Sequence, residues 1–258
     1  MTERPLIQMP DFDNLHGFGN VTTMLLVVYF SYLDCNAEQT HLEWDTHTAK
    51  GVPTSKAHSV TELLHVITTL INHHQEFNVQ GVICEFGCYT GISSAKLSLL
   101  ASLLKKQFLV FDSFEGLPNV EEYGSEAQQD IYESGQYSST LATVRNNITK
   151  FGVPKVTSLV KGWFSETLPN FNAIETIAYA FVDVDLCKSC EECFDFILPR
   201  LQTNGVLFCH EADDPDYMPI FEKYGLLDTT KYESVGAGTG LQTMFGDVTH
   251  LCMFIKKD

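Results

Sequence analysis

Positive charge is scarce in this chain, with 16 Lys and Arg against 33 Asp and Glu and a formal net charge of −17. So acidic a surface repels phosphate backbones and anionic headgroups, and neither nucleic acid nor a membrane is an expected partner. Apolar runs are short as well. The longest early one, residues 24–30, falls well below the roughly 20 residues needed to cross a bilayer. The opening MTERPLIQMPDFD puts charges and prolines where a secretory signal has an apolar core, so a cytoplasmic protein is expected. Cysteine is present eight times, too seldom for a disulfide scaffold in 258 residues. Cys84, Cys209 and Cys252 sit in apolar runs, as small core residues do. Cys187, Cys190 and Cys193 form a CxxCxxC run. A metal cluster there needs a fourth ligand that no nearby spacing supplies, whereas three thiols at helical spacing fit packing.

What is present suits one α/β domain with additions. The chain is 44% hydrophobic and 19% charged, enough to bury a sizeable core. Residues 1–57, with His16, His41, Trp44 and His47 and no clean period, read as an accessory region ending in a loop-like stretch at 50–56. Residues 58–258 read as the main domain. An amphipathic helix is predicted over 59–77, from Leu63, Leu64, Ile67, Leu70 and Ile71, with Ser59 and Glu62 as a capping box. Strand patterns follow at 81–86, 107–111, 156–160, 177–182, 206–209 and 248–256. Helix patterns lie between them at 92–106, 139–151, 189–201 and 217–224, and 116–137 reads as loop. The alternation predicts a doubly wound, mostly parallel α/β sheet, which binds ligands at the carboxyl ends of its strands.

Polar motifs follow those strand ends. Glu85 ends the first strand, and Gly87 and Gly91 follow in EFGCYTGIS. The glycines allow a tight turn, and the helix that follows offers free N–H groups. A dinucleotide fingerprint reads GxGxxG; this GxxxG loop suits a nucleoside with a carboxylate tail better than a pyrophosphate. Asp112 ends the next strand, 27 residues after Glu85, where an acid can accept from ribose hydroxyls. Trp163 follows the third strand and can lie against an adenine ring. Asp183-Val-Asp185 and His210-Glu211 end two further strands. Together they suggest a divalent-cation or acid–base site, although Asp185 can instead cap a helix and His210 merely hydrogen-bond. The acidic run Asp213-Asp214-Pro-Asp216 can attract an amine or be a solvated loop.

The blocks EFGCYTGIS, FDSFEGLP, KGWFSETLP, FVDVDL and GVLFCHE, in this order, resemble the macrocin O-methyltransferase family, within the class I S-adenosylmethionine-dependent methyltransferases. The resemblance spans residues 55–258. It implies a Rossmann-like, seven-stranded sheet with an antiparallel last strand. It also implies transfer of a methyl group to a hydroxyl of a small molecule, often a natural-product sugar. The glycine loop, with Glu85, Gly87, Tyr89, Gly91 and Ser93, would hold the methionine part of the cofactor. Asp112 would hold the ribose, and Ser113 and Trp163 would lie near the adenine. The metal-dependent members imply Asp183, His210 and Glu211 as ligands of Mg2+ or another divalent cation. Their pattern is all-carboxylate, so His210-Glu211 departs from it, and an imidazole suits softer metals than Mg2+. His210 can instead be a general base, leaving Asp183 and His210 as the catalytic candidates. Cys187 stands where the family commonly has tyrosine. Two rivals stay open: a catalytically degenerate interaction protein, and a nicotinamide-dependent oxidoreductase, against which GxxxG argues. The aromatic N-terminal region also suggests packing on a second copy as a homo-oligomer.

Overall fold

The computed structural model describes residues 60–243, 246 and 248–258. The accessory region expected over residues 1–57 and the cap expected at Ser59 lie outside the described residues. The chain enters helix α1 (Val60–Phe77), whose Leu63, Leu64, Val66, Ile67, Leu70 and Ile71 are all buried. Strand β1 (Val82–Phe86) follows, then α2 (Ile92–Leu103), β2 (Phe108–Asp112) and two short helices, α3 (Val120–Tyr123) and α4 (Glu126–Ile131). Next come α5 (Leu141–Phe151), β3 (Thr157–Lys161), α6 (Phe164–Thr167), β4 (Ile177–Val182) and α7 (Cys187–Ile197). The chain closes with β5 (Leu201–Cys209), α8 (Met218–Lys223), β6 (Tyr232–Val235) and β7 (Cys252–Lys256).

The seven strands form one sheet in the order β3-β2-β1-β4-β5-β7-β6. The first five are mutually parallel, and β7 runs antiparallel to both its neighbours. Strands β1 and β4 are nearly all apolar because they lie in the middle of the sheet, covered on both faces. The strand period of two splits their side chains between two cores. Val110, Phe181 and Phe208 pack on one face under α1, α2 and α5. Phe111, Val182 and Leu207 pack on the other under α7 and α8.

The alternation read from sequence is present, with shifted boundaries. The loop expected over 116–137 contains α3 and α4, and β6 was not expected: it is short, lies at the sheet edge and buries only Tyr232. β5 begins at Leu201 because Asn204 (φ +60°) and Gly205 are absorbed as an irregularity within the strand. β7 begins at Cys252, while exposed Val248 makes only an isolated bridge to Gln242. Helix α7 starts at Cys187, with Cys190 and Cys193 in the core and Cys187 half-buried, so these thiols pack as expected. No helix among the described residues is long and apolar enough to cross a membrane.

Candidate active site

Backbone hydrogen bonds line the polar motifs up along the carboxyl edge of the sheet. Gly162 N–H donates to Asp112 O at 3.0 Å, and Gly87 N–H to Phe111 O at 3.0 Å. Asp183 N–H donates to Phe86 O and His210 N–H to Val182 O, each at 2.9 Å. The motif ends of β3, β2, β1, β4 and β5 therefore stand side by side. Four inter-strand steps of about 4.8 Å separate the Trp163 end from the His210 end.

The glycine loop fits tightly into this row. Gly87 has φ +80°, and a Cβ there would come within 1.8 Å of the Asp183 carbonyl oxygen. Its missing side chain is what lets the ends of β1 and β4 close on each other. Asp112 clamps the loop: one carboxylate oxygen accepts from Cys88 N–H at 2.7 Å, the other from Phe114 N–H at 2.6 Å. Burial raises its pKa above the usual carboxylate value, against those N–H groups, which lower it. Tyr89 N–H and the Cys88 thiol also lie within hydrogen-bonding reach of this carboxylate. Glu85 lies deeper than expected. It is fully buried and accepts from the Ser94 hydroxyl behind the start of α2. Ser93 is buried in the first turn of α2, which Gly91 (φ +78°) opens. Ser113 closes its own turn, accepting from Glu115 N–H and donating to Gly116 O, both at 3.0 Å.

At the β3 end, Trp163 lines a shallow, open depression of about 600 Å³ with Glu115, Leu117, Pro118, Asn119 and Gly135. Between the two ends, the Tyr89 ring stands edge-on to Tyr137 at 5.7 Å, and Tyr137 to Tyr132 at 6.4 Å. Burial and the charge of Asp185 raise the pKa values of both Tyr132 and Tyr137, so this aromatic wall lies beside the acidic residues of β4.

At the β4–β5 end, ligand-capable atoms of Asp183, His210 and Glu211 all lie within 4.8 Å of one another, the one such grouping of three found among the described residues. His210 Nδ1 is 3.3 Å from Asp183 Oδ1, with both side chains about a quarter exposed. Glu211 is buried; its Oε1 accepts from Asp185 N–H at 3.2 Å and its Oε2 from the Cys209 thiol at 3.5 Å. Burial, with Asp183 and Asp185 close by, holds its carboxyl well above the usual range.

A family profile described as macrocin-O-methyltransferase (TylF) matches residues 24–229. The chain belongs to the macrocin-O-methyltransferase family. It is an S-adenosylmethionine-dependent O-methyltransferase. The match starts upstream of the blocks at 55–258 and reaches back into the region read as accessory. Among solved structures, the O-methyltransferase NovP is 17% identical with a TM-score of 0.68, covering 92% of this chain and 99% of that one. The calicheamicin methyltransferase CalS11 is 18% identical with a TM-score of 0.56, covering 99% of both chains. An O-methyltransferase from Bacillus cereus in complex with SAH is 17% identical with a TM-score of 0.50, covering 91% and 100%. Identities this low show a shared fold. A search of curated protein sequences gives no match.

Several residues close to the strand-end acids were not singled out in the sequence. Tyr132 and Tyr137 lie in the segment read as polar loop, where aromatic residues were the available signal. Glu62 was read as a helix cap; its Oε1 lies 3.6 Å from His210 Nε2. It sits one turn before buried Val66, and that helical spacing placed it on the covered face. His250 stacks edge-on to His210 at 5.8 Å and is held by Asp213 at 2.9 Å. The rest of the acidic run is structural as well: Asp214 caps the turn at Pro215–Tyr217, and Asp216 accepts from the Ser125 hydroxyl.

Proposed function

We propose that this O-methyltransferase methylates a hydroxyl of a natural-product sugar, with the acceptor held against Asp183, His210 and Glu211. The observation that carries this reading is the convergence of those three side chains beside the cofactor row. CalS11, with the same fold, is described as a TDP-rhamnose 3′-O-methyltransferase, which supports a sugar acceptor here.

When bound, S-adenosylmethionine would supply a methyl group activated by its sulfonium, the S–CH3 bond breaking with S-adenosylhomocysteine as the leaving group. The open depression at Trp163 would take the adenine, and Asp112, which clamps the glycine loop, would hold the ribose. Gly87, Gly91 and the N–H groups at the start of α2 receive the methionine end. Tyr89, Tyr132 and Tyr137 wall the reacting atoms from water. Holding nucleophile and methyl carbon in line contributes much of the acceleration. Without a cation, the Asp183–His210 pair would accept the proton of the acceptor hydroxyl.

The cluster also fits a divalent cation, because ligand-capable atoms of Asp183, His210 and Glu211 lie within 4.8 Å of one another. Asp183, His210 and Glu211 would hold it. One imidazole among the ligands favours Mn2+, Co2+ or Zn2+ over Mg2+. A cation there supplies Lewis acidity that lowers the pKa of a bound hydroxyl.

The test is methyl transfer from S-adenosylmethionine to a panel of nucleotide-linked deoxysugars, before and after chelation. Turnover that falls on chelation and returns with Mn2+ or Co2+ is expected. Full turnover by the stripped enzyme removes the cation. Cofactor binding with no turnover on any hydroxylated sugar removes the acceptor class.

A further inference from the structure

We propose that Glu62 is a positioning residue: it fixes the His210 ring so that Nδ1, not Nε2, faces the cation site. The inference rests on the cation reading above and adds a residue from outside the strand-end motifs. Glu62 lies in the first turn of α1, with its side chain only 5% exposed. The N-terminal turn of α1 eases the charge, because the helix dipole favours anions there.

The ring of His210 lies between two carboxylates. Asp183 Oδ1 stands 3.3 Å from Nδ1 and Glu62 Oε1 stands 3.6 Å from Nε2. The second separation is longer than a formed hydrogen bond and stands as an ion-pair contact. Nε2 thus faces Glu62 on α1, while Nδ1 faces Asp183, a member of the three-residue cluster. In a neutral imidazole one nitrogen carries the proton and the other offers a lone pair. An Nε2–H directed at Glu62 leaves the lone pair on Nδ1. Carboxylates placed this way behind a ligating histidine set its tautomer and raise its basicity. The His250 ring, 5.8 Å away and tied to Asp213, limits how far His210 can turn out of this arrangement.

The experiment compares Co2+ binding to the whole protein, by its visible absorption and by calorimetry, in wild type, Glu62→Gln, Glu62→Met and Asp183→Asn. Circular dichroism confirms that each is folded. Glu62→Gln keeps an acceptor for the Nε2–H, whereas Glu62→Met fills similar volume without one. The expected result is a loss of affinity of roughly 10–100-fold in Glu62→Met. Glu62→Gln is expected to rescue most of it. Wild-type affinity in Glu62→Met overturns the assignment while leaving the cation site in place. Equal loss in both Glu62 variants also overturns it, because the effect then belongs to charge and not to the acceptor. Absence of Co2+ binding in the wild type, matched by Asp183→Asn, overturns the cation reading and this inference together.

Discussion

At the residue scale, Asp183 serves two neighbours at once. Its backbone closes against the end of β1 and its carboxylate faces His210. The side-chain role predicts that Asp183→Asn and His210→Ala each lower kcat by roughly 10²–10⁴. Cofactor affinity is expected to hold near wild type, as calorimetry beside steady-state kinetics would read. The backbone role makes Gly87 its counterpart. Gly87→Ala places a methyl group 1.8 Å from the Asp183 carbonyl oxygen. Gly135 has the same backbone hand, φ +81°, but a Cβ there would meet nothing within 4 Å. Gly135→Ala is therefore expected to cost only the left-handed strain, about 1–3 kcal/mol. Gly87→Ala is expected to cost clearly more, as chemical denaturation of the two variants would show. The glycines were legible as a cofactor loop, but not that Gly87 is demanded by the neighbouring strand. That demand comes from β4, whose sequence lies far away along the chain.

At the element scale, the segment between β2 and α5 is the instructive one. Its glycines and Pro118 suggest loop, yet Ser125-Glu-Ala-Gln128 is the capping-box pattern and opens α4. Gln128 is fully buried. Its amide donates to Asp185 O at 2.9 Å and its carbonyl accepts from Cys187 N–H at 3.1 Å. One side chain thus ties α4 to the turn between β4 and α7, where Asp185 sits with φ +59°. Gln128→Leu leaves those backbone groups unpaired and is expected to cost about 1–3 kcal/mol. The same variant should reduce kcat/KM, because the tyrosine wall then loses its anchor beside Asp183. Thermal melts and steady-state kinetics on one preparation would read both effects. The pattern for α4 was present in the sequence; its partners were not, because a buried amide names no acceptor until the chain has folded.

At the scale of the whole molecule, the antiparallel β7 slots between β5 and β6 and completes the second core. Its Phe254 is fully buried and stands 5.0 Å from the Phe221 ring of α8. Phe254→Ala is expected to cost roughly 3–5 kcal/mol, since a core this dense relaxes only partly around a cavity. The cost should appear as a lower denaturation midpoint with an unchanged slope. The sheet order also places Glu62, Asp183 and His210 together, although they come from α1 and from the residues just after β4 and β5.

The sequence by itself determined the alternation of strands and helices, the glycine loop, the strand-end acids and the family they point to. Those features depend on local period and short motifs, which the chain carries wherever it goes. The tertiary structure decided which strand ends stand side by side, that Asp112 clamps the loop, and that Glu85 turns inward. It also decided that Glu62 faces His210. These contacts are set by strand pairing and helix packing, which bring distant residues within a few ångströms and leave no trace in local spacing.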